Sequence, residues 1–191
     1  NFNGTVNANS VASYVGLNGT TYKTQGGGNQ QVLQFRSGTN TINFNENSTV
    51  NLVTTNANVI ENGGGTTSIN VKKGANVILE PHTQTGMEQF FSVDGIARGI
   101  ASNATTNLTI DEGANLNISL KDNDADQYHS SALYLNSGAT INNNGNLTIT
   151  SEGTPYYKAN GIDAPIYING ATVINVGNTG NLTLTATNLG T

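Results

Sequence analysis

The sequence lacks cysteine and tryptophan and has few prolines, few charged residues and no long apolar run. Its 191 residues include no cysteine, three prolines and seven lysines and arginines in total. Without cysteine, disulfide bonds and thiolate metal sites are excluded. A net charge of −5 offers no basic surface for nucleic acid or anionic lipid. Because apolar runs are only a few residues long, we predict no transmembrane helix or signal peptide in this stretch.

Asparagine, threonine and glycine are the abundant residues, at 32, 26 and 23, which is 81 of the 191 residues. These residue types suit turns and strands and disfavour helix interiors. Charged residues make up only 10% of the chain, which is not the composition of a disordered segment. Composition alone therefore predicts an all-β fold.

A seven-residue phrase recurs along the chain: apolar, two variable residues, Gly or Asn, a small residue, a variable residue, apolar. Before and after most copies, apolar and polar residues alternate, as in a strand with one buried face. Gly or Asn at the fourth place accepts a positive φ at little cost and can bend the chain between two short strands. The copies are residues 44–50, 71–77, 110–116, 135–141, 141–147 and 176–182, the last with Thr179 at the fourth place.

The repeat favours a right-handed parallel β-solenoid. Most copies start far enough apart for one coil and a loop of varying length. The alternative is a β-sandwich, since Asn-Gly between strands also suits hairpins. A sandwich, however, usually spaces its strands at about 8–12 residues and has a more aromatic core. The copies that share Ile141 cannot both be full coils, so we predict that they are two successive corners of one coil.

We predict a single domain. Residues 1–39 are assigned to an N-terminal cap and first coil, and residues 40–191 to solenoid coils with three long loops. A solenoid needs its open end covered. The cap would include a short helix with Ser10 as its N-cap residue.

Three long irregular segments interrupt the repeat, at residues 80–100, 121–131 and 151–165. They hold both histidines, all three prolines and many of the aromatic residues, whereas the repeats are chemically uniform. Diverse loops on a regular scaffold are where binding residues concentrate. If the coils stack in register, these segments emerge on one side of the solenoid.

The second segment carries Asp122, Asp124 and Asp126, followed by Tyr128 and His129. Alternate carboxylates resemble the start of a calcium loop, but its later glycine and glutamate are missing, so a solvated acidic loop is favoured and no metal site is assigned. Aromatic rings can stack on the apolar faces of sugars, and carboxylates accept hydrogen bonds from sugar hydroxyls. This set therefore suits sugar binding.

The other two segments add candidate ligand-binding residues. The third contributes Tyr156, Tyr157 and Lys158, and tyrosine pairs are rigid contact residues. The first contributes His82 and Arg98. Arg98 could act as a base in a polysaccharide lyase, but a structural ion pair explains it equally well. Since basic residues are so few, no catalytic residue is assigned.

Three stretches, "NLTIDEGANLNISL", "SALYLNSGATINNNGNLTIT" and "GATVINVGNTGNLTLTA", resemble the pectate-lyase-like adhesive domains of lactobacillus cell-surface proteins, most closely the epithelium adhesins. The resemblance covers about residues 40–187. It implies a β-solenoid that binds host epithelium or carbohydrate at the bacterial surface. It also implies an extracellular domain of a longer protein that is anchored to the cell wall through other regions.

We therefore expect a non-catalytic adhesin domain that binds an epithelial glycan or matrix protein through loops on one side. We expect a monomer that needs no cofactor, binds no nucleic acid and does not insert into membranes. Two alternatives stay open. One is a polysaccharide lyase or hydrolase, because this fold hosts such enzymes. The other is a passive stalk, although a stalk should have short and uniform turns.

Overall fold

A computed structural model of the chain describes residues 1–10, 13–15, 21–23, 31–55, 57–82, 97–121, 131–152 and 164–187. The secondary structure of these residues is entirely β. In chain order the strands are β1 (Thr5–Ser10), β2 (Ser13–Val15), β3 (Thr21–Lys23), β4 (Leu33–Phe35), β5 (Thr39–Phe44), β6 (Thr49–Thr55), β7 (Asn58–Asn62), β8 (Thr66–Val71), β9 (Asn76–His82), β10 (Arg98–Ser102), β11 (Thr105–Ile110), β12 (Asn115–Lys121), β13 (Ser131–Leu135), β14 (Ala139–Asn143), β15 (Asn146–Glu152), β16 (Ala164–Ile168), β17 (Thr172–Val176) and β18 (Asn181–Thr187).

Sixteen of these strands form three parallel sheets. Sheet I has the order β4-β7-β10-β13-β16, sheet II the order β5-β8-β11-β14-β17, and sheet III the order β1-β6-β9-β12-β15-β18. From β4 onward the chain visits sheets I, II and III in turn, so three consecutive strands make one coil. The predicted parallel β-solenoid is confirmed. Antiparallel pairing, on which a hairpin sandwich depends, occurs among the described residues only between β2 and β3.

The coils keep a constant register although the chain between them varies in length. Phe44, Val71, Ile110, Asn143 and Val176 are successive partners at the ends of the sheet II strands. The chain from one partner to the next is shortest between Phe44 and Val71 and longest between Val71 and Ile110. Because the strands of all three sheets stay aligned, the differences in length fall in the connections.

The core lies inside the coils and is built from alternate residues of each strand. One column across sheet III consists of Leu52, Leu79, Ile118 and Ile149, all fully buried. Burying such a side chain contributes about 1.5–3 kcal/mol relative to leaving it exposed. The apolar alternation of the sequence therefore becomes a stack of like side chains shared by neighbouring coils.

Three corners between sheets II and III use the residue at the fourth place of the phrase as predicted, whereas Gly138 and Asn144, at the fourth place of the copies that share Ile141, do not have a positive φ. Asn47, Gly74 and Gly113 have φ of 58°, 71° and 72°, values that residues other than Gly and Asn rarely adopt. The two copies that share Ile141 are also confirmed as successive corners of one coil, one before β14 and one after it.

The corner after β14 is closed by a buried amide. Asn143 occupies the inward position that Ile110 and Val71 fill in earlier coils. Its Nδ2 donates to the carbonyl oxygen of Asn181 at 2.8 Å, and its Oδ1 accepts from the backbone N–H of Gly145 at 3.1 Å. Hydrogen bonding of both groups allows a polar side chain to remain in the core.

The predicted helix after Ser10 is wrong for the described residues. Ser10 lies in β1 and is the register partner of Thr54 in sheet III, and Ser13–Val15 is a strand paired with Thr21–Lys23. An extended chain here hydrogen-bonds to the open edge of β6, which a helix could not do. Phe2 also bridges to Phe44, so pairing with the coils begins well before residue 40.

Candidate functional site

The outer faces of sheets II and III consist largely of Asn, Thr and Ser. Asparagines in successive coils bond to one another: Asn70 Nδ2 donates to Asn43 Oδ1 at 2.9 Å, Asn146 Nδ2 to Asn115 Oδ1 at 2.8 Å, and Asn181 Nδ2 to Asn146 Oδ1 at 2.9 Å. Such amide ladders are a recognised way of stabilising parallel, in-register strands. They use the side-chain amides within the protein and leave these two faces chemically repetitive.

The outer face of sheet I is different. Its outward residues in successive coils are Gln34, Glu61, Ala101, Tyr134 and Tyr167, which are aligned as register partners. The rings of Tyr134 and Tyr167 stack with centroids 4.9 Å apart and planes 9° from parallel. This face therefore presents acidic, amide and aromatic groups along one line.

Arg98 joins this line from the start of β10. Its guanidinium carbon lies 3.7 Å from the centroid of the Tyr134 ring, on a site where cation–π attraction is strengthened by burial. Ala101, the register partner of Tyr134, has no exposed surface. Burial lowers the pKa of Arg98, an effect opposed by its interactions with Tyr134, Glu61 and Tyr167. Arg98 Nε is buried without a hydrogen-bond partner.

The Glu61 carboxylate is held by amide groups. It accepts hydrogen bonds from Gln31 Nε2 at 2.6 Å, Asn58 Nδ2 at 3.0 Å and Gln34 Nε2 at 3.3 Å. A carboxylate with several donors is fixed in position and remains an acceptor. We name Glu61, Arg98, Tyr134 and Tyr167 the sheet I stripe.

Of the stripe residues, Arg98 lies at the corner where the first long segment rejoins the coils, whereas Tyr134 and Tyr167 are each the fourth residue of their strand. The strands before the segments end at His82, Lys121 and Glu152, which are register partners on sheet III. The strands after them begin at Arg98, Ser131 and Ala164 on sheet I. The segments therefore start and finish at equivalent positions, although most of their own residues lie outside the described part of the chain.

Of the predicted site residues, the structure describes His82 and Arg98. His82 lies near the start of the first long segment and Arg98 near its end. His82 Nε2 lies 3.8 Å from Glu80 Oε2 and has no hydrogen-bond partner, and Arg98 belongs to the stripe. The remaining predicted residues lie outside the described residues: Asp122, Asp124, Asp126, Tyr128, His129, Tyr156, Tyr157 and Lys158.

Tyr134, Tyr167 and Glu61 were missed because sequence reasoning placed function only in the loops. The sequence does contain a pattern that identifies the tyrosines. "ALYLN" and "PIYIN" occur one coil apart and place Tyr at the same outward position in both. Aligning the coils before choosing candidates would have placed these two residues together.

Within the described ranges, no helix is long and apolar enough to cross a membrane. The same residues include no group of three or more histidine or carboxylate side chains that could hold a metal ion. Comparison of the chain with models of protein families, with curated proteins and with solved structures gave no match.

Proposed function

We propose that this protein is a non-catalytic adhesive domain of a bacterial cell-surface protein, of the pectate-lyase-like adhesive type. It binds glycans or a matrix protein on host epithelium, outside the cell, and forms one part of a longer chain that is anchored elsewhere. Binding requires neither a cofactor nor nucleic acid or membrane insertion.

The observation that carries this proposal is the chemical difference between the faces of the solenoid. Two faces consist largely of amide and hydroxyl groups, many of them bonded to their neighbours in adjacent coils. Sheet I instead carries the stacked pair of Tyr134 and Tyr167 with Arg98 and Glu61. A passive stalk has no need of such a face, and tyrosine suits contacts with one apolar side and one polar end.

The stripe and the three long segments together form the proposed binding surface. The Tyr134 ring is covered by Arg98 on one face and by Tyr167 on the other, so the Tyr167 ring offers the apolar area for the C–H face of a sugar. Glu61 and Arg98 offer an acceptor and a donor to the sugar hydroxyl groups. The segments rejoin the coils at Arg98, Ser131 and Ala164, at the start of the sheet I strands that carry three of the stripe residues. Their tyrosines and aspartates add the same kinds of group to the surface.

Binding of the purified chain to a glycan array and to cultured epithelial cells tests the proposal. Changing Tyr134 and Tyr167 together to Ala should weaken binding at least tenfold, whereas changing both to Phe should weaken it much less because the rings remain. The matched control is Asn146→Ala on the outer face of sheet III, which should bind normally. Thermal unfolding must show that each variant is folded.

A second set of assays distinguishes binding by the stripe from binding by the long segments, and also tests for enzyme activity. Tyr128, His129, Tyr156 and Tyr157 are changed together to Ala, and EDTA is added in a parallel assay. We expect weaker binding in the first case and no change in the second. Full binding by both tyrosine sets, or release of unsaturated product from pectin in the presence of calcium, would overturn the proposal.

A further inference from the structure

Arg98 is a half-buried cation whose guanidinium has no described anion in contact with it. The guanidinium carbon lies 3.7 Å from the centroid of the Tyr134 ring, and Nε is buried without a hydrogen-bond partner. Within the described ranges, no carboxylate lies at ion-pair distance from this side chain. Removing a cation from water costs free energy unless it is paired and hydrogen-bonded. Because Arg98 keeps part of its surface exposed, an anion from outside can supply the missing partner.

Glu61 acts on Arg98 from a distance and is itself held by other groups. Burial lowers the pKa of Arg98, and nearby groups that include Glu61 oppose this shift, so the carboxylate lies close enough to act on the guanidinium. Both Glu61 oxygens accept hydrogen bonds from amides, Oε2 from Gln31 and Asn58 and Oε1 from Gln34. The fork of N–H groups on Arg98 is therefore not used by this carboxylate.

The register sets the order of these groups along the solenoid. Glu61, Ala101 and Tyr134 are aligned partners in three successive coils, and neighbouring strands lie about 4.8 Å apart. Arg98, on the same strand as Ala101, contacts Tyr134 on one side and is attracted by Glu61 on the other. An anion bound at Arg98 therefore has a negative charge one coil away on one side and an aromatic ring one coil away on the other.

A carboxylate is the anion that this arrangement fits. The guanidinium presents parallel N–H groups that match the two oxygens of a carboxylate, and stacking on Tyr134 fixes the plane in which they point. A chain with a charge on every sugar would place further carboxylates beside Glu61, where like charges repel. The net charge of −5 also opposes such a polyanion over the whole molecule. The surroundings of Arg98 therefore favour one carboxylate on a glycan that is otherwise neutral.

We propose that the sheet I stripe selects glycans that carry a single carboxylated sugar, with the carboxylate held by Arg98 and polyanionic chains rejected by Glu61. This inference rests on the proposed glycan-binding function and gives its ligand a chemical class. Terminal sialic acid and terminal uronic acid both supply such a group. Arg98 is then the residue that determines specificity, and Tyr134 positions its guanidinium.

Matched oligosaccharides test the carboxylate without altering the protein. Binding of the purified chain is measured to lactose, to sialyllactose, to the methyl ester of sialyllactose and to a lactose that carries a terminal glucuronic acid. We expect both acidic sugars to bind about tenfold more tightly than lactose, because their hydrogen bonds to Arg98 are charge-assisted, and the methyl ester to bind like lactose. The tighter of the two acids identifies the source of the carboxylate.

Variants of the chain assign the selection to individual residues. Arg98→Met should abolish the preference for sialyllactose over lactose, and Arg98→Lys, which keeps the charge without the fork, should restore only part of it. The matched control, Lys72→Met, also removes one cation, at the corner between sheets II and III, and should leave the preference unchanged. Glu61→Gln should raise the binding of polygalacturonate relative to sialyllactose about fivefold, because it removes the repelling charge. Thermal unfolding shows whether each variant is folded.

The outcomes separate this inference from the proposed function. Equal binding of lactose and sialyllactose, equal binding of sialyllactose and its methyl ester, or tighter binding of polygalacturonate than of sialyllactose by the unmodified chain would overturn the inference alone. The same holds if the chain adheres to cells but binds none of these sugars, or if Lys72→Met loses the preference as Arg98→Met does. If the chain bound neither cells nor any glycan, the proposed function would fail and this inference with it.

Discussion

On the outer faces of sheets II and III, successive coils are joined by amide-to-amide bonds such as those of Asn146 with Asn115 and Asn181. On sheet I, the corresponding line joins Tyr134 to Tyr167 by ring stacking and to Arg98 by a cation–π contact. The coil and its core are the same beneath both. The buried core and the register are thus compatible with two different outward chemistries, so the outer face of sheet I can differ from the other two without a change of fold.

The largest effect is expected under the stripe, at Gly99. A Cβ at this position would overlap Ile118 Cγ2 and approach the Ala132 carbonyl oxygen to 2.9 Å. Gly99→Ala should therefore lower the free energy of unfolding by about 3 kcal/mol, as overpacking of a core does. Urea unfolding measures the change.

Gly138→Ala is the matched control for Gly99→Ala, because its Cβ would meet only the Ala171 carbonyl oxygen at an ordinary 3.6 Å. We expect its free energy of unfolding to change by less than about 0.5 kcal/mol. Equal losses of unfolding free energy in Gly99→Ala and Gly138→Ala would show that the core beneath the stripe is not close-packed. That result would contradict the prediction.

An intermediate loss of unfolding free energy is expected for a buried asparagine. It should be smaller than the loss for Gly99→Ala and larger than that for an asparagine of the ladders. Asn143→Ala leaves the Asn181 carbonyl and the Gly145 N–H without their partner and should cost about 2 kcal/mol of unfolding free energy. Asn142→Ala removes one ladder bond, to Asn175, and should cost about 0.5 kcal/mol. Thermal unfolding of both variants side by side would contradict this ranking if the ladder variant were the less stable.

The smallest effect is expected at the charged corner between sheets II and III. Lys72 Nζ lies 3.7 Å from Asp111 Oδ2, and both side chains are more than a third exposed. Lys72→Ala should change the free energy of unfolding by less than about 0.5 kcal/mol, since solvent screens such pairs. A loss above about 1 kcal/mol in unfolding experiments would mean that this side of the solenoid depends on specific contacts as much as the stripe does.

The scaffold could be predicted from sequence because its determinants are local. Alternating apolar residues specify strands with one buried face, and Asn47, Gly74 and Gly113 mark corners through the φ values they accept. The helix after Ser10 was predicted wrongly because the competing partner, the edge of β6 at Thr54, is distant in sequence. The preference of Ser10 for a helix N-cap depends only on neighbouring residues, so it does not reflect pairing with a strand edge that is distant in sequence.

The stripe could be predicted only in part because it depends on register. Arg98 was identified as unusual by its residue type alone, but its contact with Tyr134 depends on the alignment of β10 with β13. Asn143 was interpreted as a variable residue of the corner phrase and is instead a core residue, since its burial follows from its alignment with Ile110. Such relations between coils appear once the repeats are superimposed.

The constant register across connections of unequal length has an evolutionary consequence. Val71 and Ile110 remain strand partners across a much longer stretch of chain than the one that separates Phe44 from Val71. Each long segment can therefore be lengthened, shortened or exchanged without moving the strands on either side. The length and sequence of these connections can therefore vary while the strands of the solenoid keep their positions.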